Sequence, residues 1–132
     1  MTVETSIYAY ARQSVERYPD KVAIWYNDEG ITYRELFEKI DNVADHLYAL
    51  GVRKGTVVTI HLSNCPEAVI AIYAVAKLGG ICSMVHPLIP LETLSDYLRF
   101  TDSFFLVTEQ NNSIKAIKTI YIEQLRKMSC NQ

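Results

Sequence analysis

The sequence predicts an α/β fold, in which a mostly parallel sheet is flanked by helices. Two apolar runs, at 56–62 and 81–85, have the length and composition of buried strands. The segment between them, at 66–78, has helical spacing and short connections at both ends. A strand, a helix and a strand in this order form a right-handed crossover, which makes the two strands parallel. The length of 132 residues suits one domain, 1–132.

The first part of the chain predicts a helix followed by a hairpin. Residues 5–18 place their apolar side chains on one side, and Pro19 ends that helix. Val22–Tyr26 has strand composition and precedes a turn cluster at 27–30, which predicts a small antiparallel hairpin. We expect this hairpin to be attached to the sheet and to lie outside its parallel centre.

The helix predicted at 32–50 has strong signals at both ends. Thr32 can accept from the N–H of Glu35 while Glu35 bonds back to the N–H of Thr32, which forms a capping box. Ile31 and Leu36 have the spacing of a hydrophobic staple, and Gly51 can take the left-handed conformation that ends a helix. The apolar positions share one face: Leu36, Ile40, Val43, Ala44, Leu47 and Leu50. Charged positions predict a solvated face: Lys39, Asp41 and Asp45.

The helix predicted at 66–78 differs, because residues 68–76 include no charged side chain. Its apolar side chains therefore cover the full circumference. Polar and turn-forming residues mark its two ends: Asn64, Pro66 and Glu67 as an N-terminal cap, and Gly79 and Gly80 as the connection to the next strand.

The second half of the chain alternates in the same way. A proline-braced loop at 88–90 precedes a helix at 91–100 and a third parallel strand at 104–108, which gives a doubly wound, flavodoxin-like order. The remaining segments are less regular: a polar turn at 109–113, a helical turn or two at 114–118, a last strand at 119–123, and a short helical or frayed tail at 124–132.

Composition limits the classes of function. The formal net charge of −2 offers no basic excess for binding a phosphate backbone, so we expect no nucleic-acid partner.

The chain starts without the basic and apolar stretch of a signal peptide. Residues 68–85 are interrupted by Lys77 and are too short for an integral membrane segment. Three cysteines without CxxC spacing predict reduced thiols in a cytoplasmic protein: Cys65, Cys82 and Cys130.

Two motifs occur in order along this pattern. One is Thr-Tyr-x-Glu-Leu, at Thr32, Tyr33, Glu35 and Leu36. The other runs from Lys77 through Gly79 and Gly80 to Pro87. The sequence Asn-Cys-Pro-Glu lies between the two motifs. From about Tyr8 to about Glu123 the chain resembles the N-terminal part of the adenylate-forming superfamily. That group includes acyl- and aryl-CoA ligases, firefly luciferase and the adenylation domains of peptide synthetases.

The resemblance implies a function for a full-length enzyme. Such ligases use ATP and Mg to activate a carboxylic acid, release pyrophosphate and pass the acyl group to a thiol such as CoA. Holding the phosphates needs a Gly/Ser/Thr-rich loop with a lysine, and this sequence has none. The family's catalytic lysine also lies downstream of the matching region. We therefore expect this fragment to bind no cofactor, to contribute no catalytic residue and to be inactive alone.

His61 and His86 lie near the ends of two predicted neighbouring strands, where open parallel sheets bind ligands. The resemblance implies that His86 and Pro87 border the pantetheine tunnel of a CoA ligase. The alternative is that both histidines are strand-end residues bonded to backbone. A metal site would need a third ligand, which no Cys or carboxylate motif supplies.

The residues at 88–90, Leu-Ile-Pro, favour an acyl-CoA synthetase-like ligase. Peptide-synthetase domains usually carry an acidic residue soon after the proline that matches Pro87. The sequence does not identify the acid. The alternative function is a free-standing flavodoxin-like module that binds a small molecule or a protein partner without enzymatic activity.

The resemblance also leads to a prediction about assembly. In the family's fold, the helix at 66–78 lies between two sheets, and downstream sequence supplies the second sheet. Without it, we expect one apolar face of this helix to be exposed. Such a face favours a two-fold homodimer through helix 66–78.

Overall fold

The computed structural model describes residues 7–109 and 118–130. Its helices are α1 Ile7–Arg17, α2 Tyr33–Leu50, α3 Pro66–Lys77, α4 Leu91–Phe100 and α5 Ile122–Cys130. Its strands are β1 Val22–Tyr26, β2 Glu29–Thr32, β3 Val57–His61, β4 Ile81–Met84, β5 Phe105–Thr108 and β6 Lys118–Tyr121.

Four strands form one parallel sheet in the order β4-β3-β5-β6. α3 connects β3 to β4, and α4 connects β4 to β5, so both are crossover helices of the predicted kind. β1 and β2 pair antiparallel in a two-stranded sheet of their own. The predicted fold class, a parallel sheet flanked by helices with an N-terminal helix and hairpin, is confirmed.

The two faces of the sheet pack differently, because successive residues of a strand point to opposite faces. The main core combines side chains of α2, α3 and α5 with one face of the inner strands: Val58, Ile60, Phe105 and Val107. On the other face a smaller cluster joins Leu106 of β5 to Leu94 and Leu98 of α4.

α2 begins and ends as its local sequence predicts. The N–H of Glu35 donates to Thr32 Oγ1 at 3.1 Å, and the N–H of Thr32 donates to Glu35 Oε1 at 3.0 Å. These bonds lower the pKa of Glu35, with the backbone bond from Thr32 as the largest cause. At the other end Gly51 has a φ of 117°, and the N–H of Val52 donates to the carbonyl of Leu47 at 3.0 Å, which is a Schellman ending.

The N-terminal cap of α3 lies within the predicted stretch 64–67. The cap residue is Cys65, and its side chain makes no capping hydrogen bond. Pro66 occupies the first helical position, where its missing N–H costs nothing, and this fixes the cap at the residue directly before it. The side chain of Glu67 accepts instead from Nε of Arg126 in α5, at 3.1 Å.

α3 is covered by the described chain itself. Residues from Pro66 to Ala76 are each buried or half-buried, and α1, α2, α5, β3 and β4 all contact the helix. The helix is therefore largely covered, with Val69 and Ile72 only half-buried, and the homodimer through helix 66–78 stays a prediction. No helix within 7–109 or 118–130 is long and apolar enough to cross a membrane.

The glycine pair after α3 allows a close approach of two backbone segments. A Cβ on Gly80 would lie 2.8 Å from Val75 Cγ1 and 3.0 Å from the carbonyl oxygen of Thr56. Gly79 has a φ of 78°, which glycine adopts without strain. The N–H of Ile81 then donates to the Thr56 carbonyl at 2.7 Å, and β4 begins beside β3.

The C-terminal end differs from its prediction. β6 ends at Tyr121 and α5 begins at Ile122, so the strand predicted at 119–123 is too long. Of the two forms predicted for the tail, helical or frayed, the structure has a helix up to Cys130. The side chain of Gln124 accepts from the N–H of Tyr121 at 2.9 Å, and Leu125 is fully buried in the main core. Most of the turn predicted at 109–113 and of the helical turns predicted at 114–118 lies outside the described residues.

Candidate functional site

The parallel strands bring four chain segments to one edge of the sheet. β3 ends at His61, β4 at Met84, β5 at Thr108 and β6 at Tyr121. From β3 the chain crosses one face to β4, and from β4 it crosses the opposite face to β5. The junction between β3 and β5 is therefore a topological switch point, where open α/β sheets bind ligands at the carboxyl ends of the strands.

His61 is a fully buried member of this edge. Its Nδ1 lies 2.9 Å from Thr108 Oγ1, so the imidazole spans the junction between β3 and β5. Within the described residues, Nε2 is buried and has no hydrogen-bond partner. The partner of Nδ1 is a side chain 47 residues away, not the backbone group expected for a strand-end histidine.

His86 is exposed and is bonded to its own loop. The N–H of Leu88 donates to Nδ1 of His86 at 3.1 Å, and Pro87 is half-buried in the same turn. This backbone bond is the one that the alternative interpretation of His86 describes. The two histidines differ in environment, because His61 is buried whereas His86 is exposed.

Ser63 holds the carboxylate of Glu109 at the switch point. The N–H of Ser63 donates to Glu109 Oε1 at 2.8 Å, and its hydroxyl donates to the same oxygen at 2.9 Å. Glu109 follows β5 directly and is exposed, whereas Ser63 is half-buried. Hydrogen bonds to an ionised group are stronger than neutral ones. Local sequence patterns do not indicate this pair, because the two residues are 46 positions apart.

Asp41 is the centre of a second polar cluster, which local sequence patterns do not indicate. The hydroxyl of Tyr8 donates to Asp41 Oδ1 at 2.7 Å, and Nζ of Lys77 donates to the same oxygen at 3.1 Å. Arg12 lies 3.8 Å from Oδ2. Burial, helped by the bond to Asp41, raises the pKa of Tyr8 to about 12. The predicted solvated face is therefore wrong at Asp41, which joins α1, α2 and α3.

The described residues include no group of three His, Cys, Asp or Glu side chains that could hold a metal ion. Cys65 and Cys82 are free. Burial raises the pKa of Cys82 to about 11 and also raises the pKa of Cys65. Both thiols are therefore protonated at neutral pH, and neither is activated as a nucleophile.

Comparison with known proteins gives matches over most of the chain. A family model described as AMP-binding enzyme matches residues 11–130. Phosphinothricin tripeptide synthetase PhsC of Streptomyces viridochromogenes is 34% identical over 106 residues, which are 80% of this chain and 10% of that protein. Acetyl-coenzyme A synthetase 1 of Saccharomyces cerevisiae is 36% identical over 110 residues, which are 76% of this chain and 15% of that protein.

A solved structure with the same fold is an N-terminal subdomain. The NpsA N-terminal subdomain of Klebsiella oxytoca, in complex with 3-hydroxybenzoyl-AMSN, is 25% identical in sequence with a TM-score of 0.85. The likeness covers 96% of this chain and 31% of that chain. It therefore includes the hairpin and the parallel sheet together.

Proposed function

We propose, from the premise that this chain belongs to the AMP-binding enzyme family, that it is the N-terminal portion of an ATP-dependent acyl-CoA synthetase-like ligase. The whole enzyme then transfers the AMP part of ATP to a carboxylic acid, with Mg and with release of pyrophosphate, and passes the acyl group to CoA as a thioester with release of AMP. An adenylate-forming ligase is the class that both named relatives support. CoA as the acceptor is the proposed part.

The loop after β4 supports the choice of CoA. Peptide-synthetase domains usually carry an acidic residue soon after the proline that matches Pro87, and this chain has an apolar loop there. Leu88 is 80% exposed, so the loop presents an apolar side chain to solvent beside His86. We propose that His86 and Pro87 border the channel of the pantetheine arm in the whole enzyme.

The two family motifs have structural roles in this segment, and neither is a phosphate-binding loop. The motif at Thr32–Leu36 starts α2 through its capping box, and the Gly79–Gly80 pair connects α3 to β4 with no room for a side chain at Gly80. Neither motif combines several free backbone N–H groups with a lysine, as phosphate binding requires. We infer that a polypeptide of these 132 residues has no adenylating activity by itself.

An assay of pyrophosphate exchange with ATP tests whether the fragment alone is inactive. The purified chain, offered acetate, octanoate or benzoate, should give no exchange above a blank without protein. An intact acetyl-CoA synthetase is the positive control. Exchange above the blank that a substitution within this chain abolishes would overturn the inference.

A chimeric enzyme tests the acyl-CoA part. Residues 11–130 would replace the matching segment of yeast acetyl-coenzyme A synthetase 1, and thioester formation would be measured. We expect acetyl-CoA to form, and His86→Ala to raise the KM for CoA several-fold while the KM for ATP stays unchanged. Glu92→Ala, at an exposed position of α4, is the matched control. A folded chimera that makes acetyl-adenylate but no thioester would contradict the proposal.

A further inference from the structure

A hollow of about 480 Å³ lies between the first three helices. α1 contributes three of its lining residues, and α2 and α3 contribute one each: Tyr10, Ala11, Ser14, Tyr33 and Tyr73. Tyr10 is 66% exposed and the other four residues are half-buried, so solvent reaches the hollow. Small-molecule pockets typically have volumes of about 300–1,000 Å³. The hollow therefore has the size of a site for a small molecule that enters from solvent.

The lining combines aromatic rings with hydroxyl groups. Four of the five residues carry a hydroxyl, and three of these four are tyrosines. Within residues 7–109 and 118–130, none of the four hydroxyls has a hydrogen-bond partner. A hydroxyl can both donate and accept a hydrogen bond, and a tyrosine ring places an apolar face next to its hydroxyl. The hollow therefore presents apolar faces beside groups that can donate and accept.

The charges around the hollow favour a neutral ligand. Lys77 follows Tyr73 by one helical turn, and Arg12 is next to Ala11 in α1. Both cations pair with the single carboxylate of Asp41, which leaves one positive charge in excess beside the hollow. A quaternary ammonium ion packs well on tyrosine rings, but this excess charge would repel it. An anion would lose its water without a charged partner in the lining.

We propose that this hollow binds a neutral sugar, as a pyranose ring. One C–H face of the ring packs against the tyrosine rings, and the sugar hydroxyls exchange hydrogen bonds with Ser14 and the tyrosine hydroxyls. A pyranose has both an apolar face and several hydroxyls, so it uses the whole lining. The inference concerns binding alone and does not depend on the ligase role proposed above.

An NMR titration of the full chain tests the proposal. Methyl β-D-glucopyranoside is the probe, because all its ring substituents are equatorial and both ring faces present C–H groups. The amide resonances of Ala11 and Ser14 should shift along one saturation curve. Glycerol has hydroxyls without a ring, cyclohexanol has a ring with one hydroxyl, and choline is a cation. We expect each to bind at least about fivefold more weakly than the glucoside, because each lacks part of the recognition.

Variants of Tyr10 separate the ring from its hydroxyl. Tyr10 is exposed, so its substitution should change the stability of the fold little. Tyr10→Leu removes both the ring and the hydroxyl and should weaken glucoside binding by about tenfold. Tyr10→Phe keeps the ring and should weaken it by about threefold. Tyr48→Leu is the matched control, since Tyr48 is 52% exposed on α2 and does not line the hollow, and it should leave the affinity unchanged.

Three results would overturn the proposal. Equal affinity for the glucoside and cyclohexanol would show an apolar patch that does not recognise hydroxyls. Tighter binding of choline than of the glucoside would show a cation site. The absence of a saturable shift up to about 100 mM glucoside would show that the hollow does not bind this sugar. None of these results affects the pyrophosphate-exchange test, so failures of the two proposals are distinguishable.

Discussion

Tyr8 donates its hydroxyl proton to Asp41 over 2.7 Å, so the first helix is held to the second by a half-buried carboxylate. Lys77, at the end of α3, donates to the same oxygen at 3.1 Å. One carboxylate thus fixes the relative positions of three helices on the main-core side of the sheet.

Asp41→Ala should lower the free energy of unfolding by about 2 kcal/mol, because Tyr8 and Lys77 then lose a charged acceptor. Urea denaturation measures the loss. Asp45→Ala is the control, since Asp45 is an exposed aspartate on the same helix and should change stability by less than about 0.5 kcal/mol. Equal losses in the two variants would show that the cluster contributes nothing beyond a surface charge.

The raised pKa of Tyr8 predicts a loss of stability at high pH. Burial, followed by the contact with Asp41, raises this pKa from 10.0 to about 12. The folded chain keeps the proton after the unfolded chain has lost it, so the contribution is complete below about pH 10 and falls as the pH rises toward about 12. In Tyr8→Phe this part of the decline should be absent. Urea denaturation across this range tests it, with Tyr10→Phe, at an exposed position, as the control.

Leu47→Ala should destabilise the fold by about 2–5 kcal/mol, the usual range for a buried leucine. Leu47 is fully buried in the main core, on the face of α2 that the sequence predicts. Glu38→Ala on the exposed side of the same helix should be nearly neutral. A measured loss below about 0.5 kcal/mol, the level of a surface substitution, would mean that this face is placed wrongly.

Gly80→Ala should cost about 1–3 kcal/mol, because the added Cβ overpacks the connection between α3 and β4. Val75→Ala in the same chain should recover part of that loss, since it removes the Cγ1 atom 2.8 Å from the new methyl group. The contact with the Thr56 carbonyl, at 3.0 Å, remains and prevents full recovery. A double-mutant cycle by urea denaturation measures the coupling. Additive losses would argue against the steric explanation.

Signals that act within a few residues were predictable from the sequence. The capping box of α2 joins Thr32 to Glu35, and the Schellman ending joins Val52 to Leu47. Both depend on local spacing and backbone conformation alone. The parallel sheet followed from the crossover rule, because short connections leave few other arrangements.

Contacts between distant segments were not predictable in this way. Asp41 had the spacing of a solvated helix face, yet Tyr8 and Lys77 reach it from 33 and 36 residues away. The pair of Ser63 and Glu109 forms only when β3 and β5 lie side by side. Such contacts depend on strand order and on helix packing, which the periodicity of one segment does not contain. The start of α3 was predictable within the stretch 64–67, because Pro66 suits the first helical position.

The apolar cluster between α4 and the sheet is small, so we expect the helix on this face to detach more easily than the helices on the other face. Only Leu94, Leu98 and Leu106, with Val85 and Ile89, form the described apolar cluster on that side. Detachment of α4 from the sheet therefore breaks few apolar contacts. We expect this local unfolding to require less free energy than global unfolding. Amide protons of α4 should exchange with deuterium sooner than those of β3 and β5, with a weaker dependence on urea. When α4 is detached, solvent would reach the polar residues at the C-terminal ends of the parallel strands, while the main core stays folded.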